Sequence, residues 1–85
     1  MRQAPEFFGD VELSLIYIAK KLKEALQLEE ILTAAGIDYA VEADTYRGGI
    51  IFASERIGAF FYVAPEHLTE ARDLLRDNRY KPYEI

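Results

Sequence analysis

The run Gly58-Ala-Phe-Phe-Tyr-Val-Ala-Pro65 decides how this chain folds. Residues Ala59 to Val63 are apolar or aromatic without a polar interruption, as in a strand covered on both faces. Gly58 and Pro65 bracket the run, and an amphipathic segment follows at once. A second run of the same kind, Leu15-Ile-Tyr-Ile-Ala19, also leads straight into an amphipathic segment. Two strand-to-helix units side by side set the plan for the rest of the chain.

Working outward, Val11 to Ala19 predicts a first strand. Leu13, Leu15 and Tyr17 share one face and Ser14, Ile16 and Ile18 the other, so both faces are mostly apolar and the strand is central. Lys20 to Ala35 predicts a helix. Leu22, Ala25, Leu26, Leu28, Leu32 and Ala35 fall on one side at spacings of three and four, opposite Lys23, Glu24, Gln27 and Glu30. Gly36 supplies its left-handed end, while no Ser, Thr, Asp or Asn caps its start. Ile37 to Ala43 alternates apolar and polar residues and predicts an edge strand. Asp44 to Gly49 reads as a loop. Ile50 to Ala53 leaves two arrangements open: a separate strand folded back on Ala59–Val63, or the first half of one long strand bent at Gly58 by a bulge. Pro65 to Asn78 predicts a second helix with a buried stripe of Leu68, Ala71, Leu74 and Leu75. Tyr80 to Ile85 predicts a short last strand, which Pro82 confines to an edge. Residues 1–10 read as an N-terminal tail whose Phe7 and Phe8 pack onto the domain's own surface, and residues 11–85 as a single domain.

The order is β-α-β-β-α-β, with the first and third strands suited to the centre and the second and fourth to the edges. Right-handed crossovers then predict an α+β, ferredoxin-like sandwich with an antiparallel sheet ordered 4-1-3-2 and both helices on one face.

Composition narrows the function. Eighty-five residues, 51% of them hydrophobic, make one domain with apolar surface left over once the core is filled. The absence of cysteine excludes disulfides, a thiolate nucleophile and a cysteine metal site, and the single histidine, His67, excludes a polyhistidine site. A net charge of −5 argues against nucleic acid, which wants a basic face. No apolar run is long enough to span a bilayer, and the first ten residues carry no apolar leader, so a cytoplasmic protein with no membrane partner is expected.

The segments Ile16-Tyr-Ile-Ala19, Glu29-Glu-Ile-Leu-Thr-Ala-Ala-Gly-Ile-Asp-Tyr39 and Phe61-Tyr-Val-Ala-Pro-Glu-His-Leu-Thr-Glu-Ala-Arg-Asp-Leu-Leu75 resemble a family of small bacterial domains of unknown function. That family is labelled as prokaryotic signal-transducing, and its fold is related to the nitrogen-regulatory PII proteins. The likeness covers roughly residues 11 to 80 and rests mostly on core and turn positions. It implies the same fold and a regulatory role. By that analogy the connection between the second and third strands stands where PII proteins carry their effector loop, although here it is much shorter.

Two places suit a small anionic ligand. Tyr46-Arg47-Gly48-Gly49 offers a ring, a guanidinium and two permissive residues; the plain alternative is a solvated turn. Lys20, with Lys21 and Lys23, stands at a helix start where backbone N–H groups attract anions; the plain alternative is a basic turn softened by pairing of Lys20 with Glu24. No nucleophile–base pair or metal constellation is visible, so no enzyme and no cofactor are expected. The apolar surplus is the strongest signal. The sheet face away from the helices needs cover from the tail, from Ile50–Ala53 or from another copy of the chain. The sequence therefore predicts a small non-enzymatic binding or regulatory module that self-associates through its sheet, with a protein-interaction domain lacking any small-molecule ligand as the alternative.

Overall fold

The computed structural model describes residues 1–48 and 54–83, with only the backbone of Arg47, Ser54 and Glu55. Its elements are β1 (Ser14–Ala19), α1 (Leu22–Ala34), β2 (Ala40–Gly48), β3 (Ser54–Val63) and α2 (Leu68–Asp77), with 3₁₀ turns at Pro5–Phe8 and Pro65–His67. The three strands form one antiparallel sheet in the order β1-β3-β2. This is a small α+β fold, and its central strand is the one that carries the run Ala59–Val63.

One core forms between the sheet and the two helices. Ile16, Phe61 and Val63 from the strands meet Ala25, Leu28 and Leu32 of α1 and Ala71 and Leu75 of α2. The stripe expected on α2 is observed, with Leu68 and Leu74 at its margins. That on α1 is narrower than expected, because Leu22 is 76% and Leu26 53% exposed. At 3.6 residues per turn Leu26 points away from the face shared by Ala25, Leu28 and Leu32, and Leu22, the first residue of α1, stands at its margin. Gly36 ends α1 with φ of +73°, its N–H bonded to the Thr33 carbonyl and that of Ile37 to Leu32. Ile37 then packs in the same core as Leu32, which completes a Schellman cap.

One expectation is corrected. Asp44 to Gly48 is strand, not loop: β2 runs nine residues, and its far half pairs with Ser54–Gly58. Polar residues suit this half because the helices do not reach it; Ile57 shares the face of Phe61 yet is 74% exposed. The register with β2 runs without interruption through Gly58, and the irregularity lies in β1 between Leu15 and Tyr17. The two arrangements weighed for Ile50–Ala53 fall outside the described residues. Tyr80 to Tyr83, the described part of the expected last strand, lie outside the three-stranded ladder. Tyr83 N–H donates to the Ile16 carbonyl at 2.6 Å, but Pro82 has no N–H to give.

The N-terminus holds a link that composition did not signal. Arg2 makes a parallel bridge with Tyr39, with Gln3 N–H bonded to the Tyr39 carbonyl and Tyr39 N–H to that of Met1. The chain then crosses from β2 to the start of β1 by way of the 3₁₀ turn, where Phe7 and Phe8 meet edge to face at 5.1 Å. Phe8 is half-buried, but Phe7 is 57% exposed, so the expected packing holds for one ring of the pair. No helix among the described residues is long and apolar enough to cross a membrane.

Candidate functional site

Gly58 is the residue on which the site is built. A Cβ at this position would come within 3.0 Å of Ile18 Cγ2 and 3.1 Å of two ring carbons of Tyr46. The Tyr46 ring therefore leans from β2 across the backbone of β3 toward β1, and only glycine leaves it that space. Lys20, the residue after β1, holds its Nζ 5.4 Å from the centroid of the same ring, within cation–π reach. Two residues from separate sequence candidates are thus brought together.

The expected pairing of Lys20 with Glu24 takes another form. Glu24 Oε1 accepts a hydrogen bond from the Lys20 backbone N–H at 3.2 Å, one residue before the N-cap Lys21, and the ammonium is directed to Tyr46. Glu24 also acts on Tyr17. Burial foremost, then the charge and hydrogen bond of Glu24 and the proximity of Tyr80, push the Tyr17 phenol up to about 12.

Tyr46 and Lys20 line an open cleft of about 460 Å³ together with Ile18 and with Lys81, Pro82 and Tyr83 of the C-terminal segment. Tyr17 lines it as well, and among the described residues no carboxylate does. In a chain of net charge −5, two ammonium groups and three phenol rings converge with no acid among the described lining residues. The rings offer flat apolar surface and the lysines charge, which suits an anion attached to a planar ring.

The other candidates fall elsewhere. Arg47 and Gly48 are β2 residues opposite Glu55 and Ser54, farther along the two-stranded arm; Gly49 and the Arg47 side chain lie outside the described residues. Lys21 is the residue before α1 and makes no capping bond with its side chain. His67 is half-exposed, with Glu66 at 3.8 Å and Glu70 at 3.6 Å. Among the described residues no three His, Asp or Glu side chains gather as metal ligands would. Tyr17, Lys81 and Tyr83 were not singled out by the sequence. The first reads as core, and the other two sit in a segment whose place beside β1 no local pattern specifies.

These features define a small α+β fold with a cationic, ring-lined cleft. No family model matches the chain, and no curated protein or solved structure does.

Proposed function

We propose that the chain is a small non-enzymatic binding module of a regulatory kind, which takes a small anion bearing a planar ring between Tyr46 and the C-terminal segment. The observation that carries this reading is that Lys20, Lys81 and the Tyr46 ring line one cleft, the ring resting beside Gly58. The frame is ferredoxin-like: the hydrogen bond from Tyr83 to Ile16 supports a fourth strand beside β1, and the single core shared by α1 and α2 supports both helices on one face. The resemblance to the bacterial signal-transducing domains accords with a regulatory role. Ligand between β1 and the C-terminal segment would couple occupancy to the sheet. There Leu15, Ile18, Phe60 and Tyr62 make a half-buried face that a second copy covers.

Thermal melts with phenyl phosphate, inorganic phosphate and phenol test the reading. At ten times its Kd a ligand stabilises by about 1.4 kcal/mol. In a domain this small that raises Tm by several degrees. Phenyl phosphate should do so, the two fragments far less, and Lys20→Met with Lys81→Met should abolish the shift. Arg47→Ala asks in the same assay whether the guanidinium takes part. An equal response from the double lysine variant would refute the cleft as the site.

A second reading, a docking domain for another protein, is favoured by Leu22 and Ile57. Both are about three-quarters exposed, and they flank one hollow with Ala19 and Ala43. Capture of a protein partner that Ile57→Asp abolishes, with no ligand response in the melts, would select it.

A further inference from the structure

The two ends of α1 carry opposite surfaces. At its start Leu22 is 76% exposed, between Lys21 and Lys23 in the chain, and it lines an open hollow with Ile57 and several alanines. Lys21 is the N-cap and makes no side-chain capping bond. No ion pair among the described residues involves Lys21 or Lys23. Positive side chains thus crowd the positive end of the helix dipole, an unfavourable arrangement within one chain. Beyond the other end, a second hollow of about 280 Å³ opens against α2. Ala35, Ile37 and Leu74 line it with apolar surface, and Glu70, Asp73 and Asp77 add three carboxylates. Those acids repeat at spacings of three and four, so they share one side of α2 and repel one another. Arg76 stands 3.2 Å from Asp73 and His67 3.6 Å from Glu70, while no ion pair among the described residues involves Asp77. One end therefore presents an exposed leucine with excess positive charge, and the other an apolar hollow with excess negative charge.

We infer that the chain assembles head to tail, with Leu22 of one copy seated in the hollow beside Leu74 of the next and Lys21 and Lys23 against Glu70 and Asp77. A second copy is the occupant because both halves of the contact are on this chain. A two-fold contact through Leu22 would bring lysines onto lysines, and one through Leu74 would bring carboxylates onto carboxylates, so charge disfavours both. The head-to-tail contact relieves the crowding at each end at once. At 1.5 Å per residue the 13 residues of α1 hold the two surfaces about 20 Å apart, so one copy engages two neighbours. Such a heterologous contact propagates until a ring closes or a filament grows. It uses neither Tyr46 nor Phe60, and is therefore separate from the ligand cleft and from association through the sheet. A contact seated on one side chain belongs to the small, weak class of interfaces, so assembly appears at about millimolar rather than micromolar protein.

The chain carrying Phe60→Asp, which blocks the sheet face, isolates this contact. Sedimentation equilibrium of that chain at about 1 mM should give a mass above the monomer's that rises with concentration. The mass should fall back in about 1 M NaCl, where charges are screened beyond about 3 Å. Adding Leu22→Asp, or Glu70→Lys together with Asp77→Lys, should leave each variant monomeric. An equimolar mixture of the two variants should form a dimer and nothing larger, because one keeps the hollow and the other keeps the leucine. Unchanged methyl resonances of the buried Val63 check that each variant is folded. Should a variant not fold, dilution of the Phe60→Asp chain still decides, since the amide resonances of Leu22 and Leu74 should move together. A Phe60→Asp chain that stays monomeric at millimolar concentration overturns the proposal, and so does a mixture that does. Association that Leu22→Asp removes but the paired lysine variant keeps would assign Leu22 to a two-fold contact or to another surface, and the head-to-tail assembly would be refuted.

Discussion

Tyr17 shows how much of the site depends on single side chains. Its ring meets Tyr80 edge to face at 5.5 Å, and its hydroxyl is held beside Glu24. Loss of the phenol proton would set a buried charge beside a carboxylate. The phenol therefore titrates late, at about 12 against 10.0 for a free tyrosine. The folded state holds the proton more tightly than the unfolded one. Its contribution to stability is thus complete below pH 10 and fades as pH climbs through about 12. Phenolate absorbance in an alkaline titration should show a late component that Tyr17→Phe removes. A variant whose curve loses an early-titrating group instead would mean that Tyr17 is not enclosed. The Tyr39 and Tyr62 phenols are also raised, by burial first, so the late component of the parent has more than one contributor.

Among the elements, α2 ends in a way its sequence does not favour. Arg79 takes φ of +66°, its N–H bonded to the Arg76 carbonyl, and Tyr80 N–H donates to Leu75. This is the cap seen after α1, with arginine where α1 has Gly36. A side chain in the left-handed region costs roughly 1 kcal/mol or more, which glycine avoids. Glycine in turn gives up more freedom on folding. Arg79→Gly should therefore stabilise the protein by about 0.5–1 kcal/mol in urea unfolding, with an unchanged denaturant slope. A loss of stability would show that the arginine side chain anchors the C-terminal segment by more than it strains the backbone. That segment starts here, since Tyr80 packs on Tyr17 and donates its hydroxyl proton to Gln27 at 2.6 Å. The same cap thus aims Lys81 and Tyr83 at the cleft.

For the whole molecule, the sheet has two unequal faces. One lies under α1 and α2 and holds Phe61 fully buried, with the Tyr39 ring stacked on it at 5.9 Å. The other carries Ile18 and Phe60 half-buried around the fully covered Gly58. An apolar face of this kind is what a second copy would cover. Light scattering of the untagged chain at micromolar concentration should give a dimer or larger mass, and Phe60→Asp should reduce it to that of a monomer. A monomeric parent would refute self-association and leave the crossing segment of residues 4–13 as the cover. Phenyl phosphate added to the same samples would tell whether the cleft and the association are coupled.

Local pattern alone specified a good deal. The runs Leu15–Ala19 and Ala59–Val63 read as strands covered on both faces because no polar residue interrupts them. The cap of α1 follows from Gly36 and the stripe of α2 from spacings of three and four, which depend only on neighbours in the chain. Other features depended on what lies across space. Asp44–Gly48 became strand because β3 supplied a ladder to it, and the turn-like composition of Tyr46-Arg47-Gly48 carries no record of that partner. Lys20 and Tyr46 meet over Gly58 although 26 positions separate them, since the contact needs three adjacent strands and a missing side chain on the middle one. Leu22 reads in the sequence as one more member of the α1 stripe. Only the packing of α1 against the sheet leaves it 76% exposed, and exposure is a property of the fold that no local spacing encodes.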